Sequence, residues 1–197
     1  MSLQFLKAGT SDTPVLNAIS KHAFENDAEV GAPSAGGPPG YMSLKYHIKM
    51  ARSGHLFKLT ENGLIIGGAI LFPDGDTLNI GRIFINPDCH RKGYGIRMMQ
   101  EIEALFPEIR TYTLDTPAWN NRTNSFYLKL GYTEVKRNNE FVYYSKQRMP
   151  ERKPMEWACN QASSPKNDQS TRHTLPHGCN LPGCMEKDKL LKSSLSV

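Results

Sequence analysis

The stretch RIFINPDCHRKGYGIRMM, residues 82–99, decides how this chain folds. It opens inside a strand read as Thr77–Ile85, whose apolar pattern changes midway. Leu78 and Ile80 share one parity, while Ile83 and Ile85 share the other. A period of two cannot change parity on one face without an inserted residue, so a β-bulge is expected at Gly81–Arg82. His90-Arg91-Lys92-Gly93-Tyr94-Gly95 then leads into a helix carrying Ile96, Met99, Ile102, Leu105 and Phe106 at helical spacing, with Pro107 at its end. Glycines let successive backbone N–H groups converge, and the helix N-terminus adds partial positive charge. Arg91 and Lys92 add full charges, so the turn suits a phosphate or pyrophosphate. It is no P-loop, because Gly-Lys-Ser/Thr is missing, and a single G-x-G is no dinucleotide fingerprint. From these residues alone, a glycine-containing turn that binds nothing is the equal alternative.

Upstream, Leu3–Lys7 reads as a strand. A helix capped by Ser11 or Asp12 follows to about Phe24, with Pro14 in its first turn. The segment ENDAEVGAPSAGGPPGYM is a long Gly/Pro loop, and long loops in small domains are usually functional or mobile. Ser43 to Arg52 is a second helix, ended by Gly54. His55–Thr60 and Leu64–Phe72 are strands joined by Asn62-Gly63, a pair that accepts the positive φ of a type I′ hairpin turn. Downstream, Thr111–Asp115 is a strand, Asn120 caps a helix to about Leu130, and Gly131 ends it. Thr133–Lys136 and Phe141–Tyr144 form a last hairpin. The order is β-α-α-β-β-β-α-β-α-β-β, a mixed sheet with helices on its faces.

Composition bounds what such a fold can do. The 197 residues carry a formal net charge of +5, and the charges are spread along the chain, which argues against nucleic acid as partner. Mean hydropathy is −0.50, and no apolar run approaches the roughly 20 residues of a membrane span. MSLQFLKAGT lacks the features of a signal peptide, so a cytoplasmic chain with reduced thiols is expected. Three of the four cysteines lie beyond residue 158, in a segment with one aromatic residue, Trp157, and no sustained period. Residues 1–149 are therefore read as the folding unit and 150–197 as a polar, disordered tail. His173, His177, Cys179 and Cys184 are zinc-type ligands, but their spacing matches no zinc module, and no metal is expected in the domain.

Residues Arg82 to Val135 resemble the acetyl-CoA core of the GNAT N-acetyltransferase family. RIFINPDCHRKGYGIRMM is similar to its bulged strand, pyrophosphate loop and helix. DTPAWNNRTNSFYLKLGYTEV is similar to its late strand and helix, with Asn120 at the cap, Tyr127 seven residues on, then Gly131-Tyr132. One departure is His90, where the family usually carries Gln or Arg three residues before the first glycine. The resemblance implies a mixed, mostly antiparallel sheet flanked by helices, of the acyl-CoA N-acyltransferase type. It implies acetyl-CoA as co-substrate, a small-molecule or peptide amine as acceptor, and direct attack without an acyl-enzyme. Family members are often dimers, so a homodimer is an expectation too. A non-catalytic acyl-CoA sensor on the same fold is the alternative.

The resemblance also assigns roles. The backbone of Ile83, Phe84 and Ile85 would pair with the pantetheine arm like an added strand. The amides of Arg91, Lys92, Gly93, Tyr94, Gly95 and Ile96 would hold the pyrophosphate. Tyr127 would protonate the leaving thiolate; an amphipathic core tyrosine is its structural alternative. Asn120 could meet a pantetheine amide or only cap its helix. The bulged strand lacks the Glu that many members use as base, which leaves Asp115, directly or through water, or a water chain to bulk. Glu25, Asp27 and Glu29 could draw a cationic amine to the long loop, where Tyr41 could line the acceptor site; solvated charges and helix packing are the alternatives.

Overall fold

Asn62 and Gly63 both take positive φ, 49° and 83°, so the hairpin turn is made as its residue types require. The computed structural model describes residues 2–27, 31–32 and 36–148. The tail with its Cys and His residues, and Glu29, lie outside the described residues. Around the hairpin run Leu3–Lys7 (β1), Thr13–Glu25 (α1), Leu44–Arg52 (α2), Leu56–Glu61 (β2), Leu64–Asp74 (β3) and Thr77–Ile85 (β4). Tyr94–Leu105 (α3), Thr111–Pro117 (β5), Asn121–Lys129 (α4), Thr133–Arg137 (β6) and Phe141–Gln147 (β7) complete the expected order. The seven strands form one sheet in the order β1-β2-β3-β4-β5-β7-β6, antiparallel except for the β4–β5 pair. Among the described residues no helix is long and apolar enough to cross a membrane.

The bulge sits where the parity change placed it. Ile70 pairs with Arg82 and Leu71 with Ile80, which leaves Gly81 as the extra residue. Its effect is to send the strand's side chains to different layers. Leu78 and Ile80 pack with Met98, Met99, Ile102, Leu114 and Tyr127, and half-buried Ile83 and Ile85 lie against the same cluster. Phe84 instead joins Leu16, Ile19, Met50 and Ile70 on the opposite face. Thus α3 and α4 cover one face of the sheet, and α1 and α2 the other. Glycine is needed at 81 for room: an added Cβ would stand 2.6 Å from Phe72 Cε2. Gly81→Val is expected to lower the unfolding free energy by about 1–3 kcal/mol. The check is a lower urea midpoint at unchanged m-value.

The buried stripe of α3 differs from the expected one. Met98, Met99 and Ile102 are buried, whereas Ile96 and Leu105 are exposed. The stripe facing the sheet continues from Gly95 through Met98, Met99 and Ile102 to half-buried Phe106. Ile96 falls to one side of it, at the mouth of the cleft described next. On α4 the buried residues are Asn124 and Tyr127, while Phe126 is only half-buried and packs beside Gly95.

Candidate active site

The site begins where two strands part. β4 and β5 run parallel, but they pair only over Thr77–Asn79 and Thr111–Thr113. Past Asn79 the bulge turns β4 aside, and the β5-facing edge of Ile80–Ile85 carries no ladder. The gap opens into a cleft of about 1620 Å³, lined by β4 from Ile80, the loop before α3, the end of β5 and one side of α4. An unpaired strand edge inside a cleft can accept an extended ligand as a further strand.

One wall is the glycine turn. Gly93 (φ 79°) and Arg91 (φ 61°) are both left-handed, and Gly93 stands at the N-cap of α3 without a side-chain cap. Positive φ at a non-glycine residue is uncommon, and such positions cluster at ligand-binding turns. Backbone N–H groups from Arg91 to Ile96 find no acceptor among the described residues; the first bonded amide is Arg97 N, to Gly93 O at 3.1 Å. This is an anion cradle of backbone donors at a helix N-terminus.

Two side chains fix the cradle. His90 donates from Nε2 to Ile85 O at 3.2 Å, tying the loop to the end of β4; a carbonyl can only accept, so Nε2 carries the proton. His90 thus braces the loop rather than reaching out as a longer Gln or Arg could. The Tyr94 hydroxyl donates to Glu61 Oε1, and this bond pushes the phenol up to about 12.

The opposite wall is α4. Asn120 Oδ1 accepts from Thr123 N at 3.1 Å, so the residue caps the helix while also lining the cleft, and its side-chain NH2 remains for a ligand. Tyr127 lines the cleft at 6 % exposure, with its ring beside Tyr132 and Tyr144. Burial, and secondarily the carboxylate of Asp115, raise its phenol well above the ordinary value. Asp115 is exposed at the rim, yet the surrounding protein limits its hydration and raises its carboxyl above the ordinary range.

Sequence reasoning missed Asn124, which is buried. Tyr144 Oη donates to Asn124 Oδ1 at 2.8 Å, and Asn124 Nδ2 donates to Asn120 O at 2.7 Å and Pro117 O at 3.1 Å. The amide joins α4 to β5 and β7 and so sets the direction of Tyr127, three residues on along the same face. The signal was present, since Asn120, Asn124 and Tyr127 share helical spacing, but a mid-helix Asn is ordinarily solvated.

The structure brings Ile83, Phe84, Ile85, Arg91, Gly93, Tyr94, Gly95, Ile96, Asp115, Asn120 and Tyr127 to one cleft, and Asp27 lines it too. Lys92, Glu25 and Tyr41 are not among its lining residues. Glu25 faces Lys21 at 4.0 Å on the surface of α1. Asp27 is bonded to Arg122 Nη2 at 2.7 Å; burial raises its carboxyl despite Arg122 and His90 nearby. The Tyr41 ring packs edge-on against Phe24, 5.9 Å between centroids. Among the described residues no group of three or more His, Cys, Asp or Glu could hold a metal.

The acetyltransferase (GNAT) domain family matches residues 52–134, the span that holds β4, the cradle, β5 and α4. Over that span the chain carries a GNAT acetyltransferase domain. Solved structures of GNAT acetyltransferases share its fold. The PaiA N-acetyltransferase of Thermoplasma acidophilum, solved with coenzyme A, is 16 % identical with a TM-score of 0.65, over 75 % of this chain and 100 % of its own. The ribosomal-protein-S18-alanine N-acetyltransferase of Escherichia coli is 18 % identical, with a TM-score of 0.58 over 78 % and 99 %. A polyamine N-acetyltransferase of Drosophila melanogaster, which forms N-acetylagmatine, is 9 % identical, with a TM-score of 0.56 over 75 % and 100 %. No curated protein matches this chain in sequence. GNAT neighbours with such different acceptors leave this chain's acceptor to its own residues.

Proposed function

We propose that this GNAT domain is an N-acetyltransferase that moves an acetyl group from acetyl-CoA to a primary amine by direct attack in a ternary complex. The observation that carries the reading is the run of N–H groups from Arg91 to Ile96 that find no acceptor among the described residues, beside the cleft that Tyr127 lines. Those donors hold the diphosphate, with Arg91 adding charge. The open edge of Ile83–Ile85 pairs with the amide-bearing arm, and Asn120 offers its NH2 to the same arm. Acetyl-CoA supplies the acetyl group as an activated thioester.

The chain's own residues manage the protons. An amine near pKa 10 is mostly protonated at neutral pH and must lose a proton before attack. Asp115 takes it, directly or through one water. The N–C bond forms as the C–S bond breaks, the Tyr127 phenol donates its proton to the departing sulfur, and the proton that the nitrogen sheds on becoming an amide returns through solvent to the phenolate. Burial holds the phenol above its ordinary range, so it is protonated at neutral pH and carries the proton it would give to the sulfur.

Calorimetry with acetyl-CoA, followed by a thiol-release assay over a panel of amines, tests the reading. Binding with release of free thiol is the expected result. Failure to bind acetyl-CoA overturns the reading, and binding without release for any amine favours a sensor.

A further inference from the structure

The residue after the bulge is a buried cation that the mechanism above does not use. Arg82 is 8 % exposed and lines the cleft beside Phe24 and Pro39. Its Nη2 donates to Pro39 O at 3.0 Å, and its guanidinium carbon lies 5.7 Å from the Phe24 ring centre and 5.3 Å from that of Tyr46. No carboxylate pairs with it among the described residues. Nε and Nη1 are buried without an acceptor among the described residues. A charged guanidinium in this condition is costly, because desolvation is not repaid by a counter-charge. Neighbouring His47 offers none: its Nδ1 is bonded to Ser43 O at 2.9 Å, and burial, then the charge of Arg82, keep the ring neutral.

Of the acidic residues that the sequence offered for a cationic acceptor, the two among the described residues have cationic partners, Glu25 with Lys21 and Asp27 with Arg122. A polyamine entering this end of the cleft would meet Arg82 with its own positive charge. An amine that also carries an anion would supply the missing partner, and a planar carboxylate matches guanidinium geometry. We infer that the acetyl acceptor is an amine bearing a carboxylate, an amino acid in the simplest case, and that Arg82 holds that carboxylate. This deepens the N-acetyltransferase reading and rests on it.

The test uses the full chain with acetyl-CoA and twenty amino acids, each paired with its α-amide, together with spermidine and agmatine. The expected result is an acid acetylated with kcat/KM about 10- to 100-fold above its amide, the range of one hydrogen bond to a charged group. Arg82→Met should collapse that ratio toward one without changing the Kd for acetyl-CoA. Calorimetry with unacetylated CoA in place should show the preferred acid binding and its amide not. Amides or polyamines accepted as well as the acids, or no acid accepted, overturn the inference while thiol release keeps the enzyme reading. So does an Arg82→Met variant that slows acids and amides alike. If that variant does not fold, the acid-to-amide ratio of the unmodified chain decides. Absence of acetyl-CoA binding overturns the enzyme reading instead.

Discussion

Tyr127→Phe is expected to lower kcat about 10²- to 10⁴-fold, the range of one general acid, and to leave the Kd for acetyl-CoA unchanged. The change removes one oxygen and keeps the ring, whose contacts with Tyr132 and Tyr144 hold α4 in place. The folded state should therefore survive, and the loss should lie in turnover. The pH profile adds a check. Burial raises Asp115, and a base must be deprotonated to work, so kcat should climb with pH through a limb above the ordinary carboxylate value near 4. Asp115→Asn removes that limb if the carboxylate is the base, whereas a limb due to the acceptor amine persists. Tyr127 is raised too, so its ionisation should cause no falling limb below about pH 10. An unchanged kcat in Tyr127→Phe would refute the acid role.

Gly95→Asp is expected to have effects of opposite sign on cofactor binding and on stability. The added Cβ would stand 3.4 Å from Phe126 Cζ, a contact that a small ring shift relieves. A carboxylate in the first turn of α3 faces the partial positive charge of the helix N-terminus, which is worth about 0.3–1 kcal/mol of stability. The same carboxylate would stand in the anion cradle. At an effective dielectric near 20, two like charges roughly 5 Å apart repel by about 3 kcal/mol, or about 100-fold in affinity. Calorimetry should thus show acetyl-CoA binding weakened about 100-fold or more, while thermal unfolding of the free chain stays level or rises slightly. Retained affinity would mean that the diphosphate lies elsewhere.

Both variants concern parts of the site that are legible in the sequence for local reasons. A bulge shows as a change of parity, a hairpin turn as Asn62-Gly63, and a cradle as glycines between a strand and a helix. Each is written within a few residues, because backbone conformation responds to near neighbours. The parting of β4 from β5 is half legible: the bulge is readable, but where the pairing stops depends on the register of a strand 34 residues away. Asn124 was hidden because its value lies in partners on β5 and β7, and a polar residue shows no periodic signature of being satisfied.

The acceptor side was the least legible. Glu25, Asp27 and Glu29 read as an acidic cluster, yet Glu25 and Asp27 have cationic partners, one of them 95 residues away in the chain. Arg82 read as a polar residue at a bulge. The fold puts it under the Pro39 loop between two aromatic rings, without a counter-ion among the described residues. Element order, the bulge and the glycine turn before α3 were determined by the sequence alone, because they follow from periodicity and local φ preferences. Which charges are spent in pairs and which stand alone was decided only by the tertiary structure, because pairing and desolvation depend on what distant segments bring within a few ångströms.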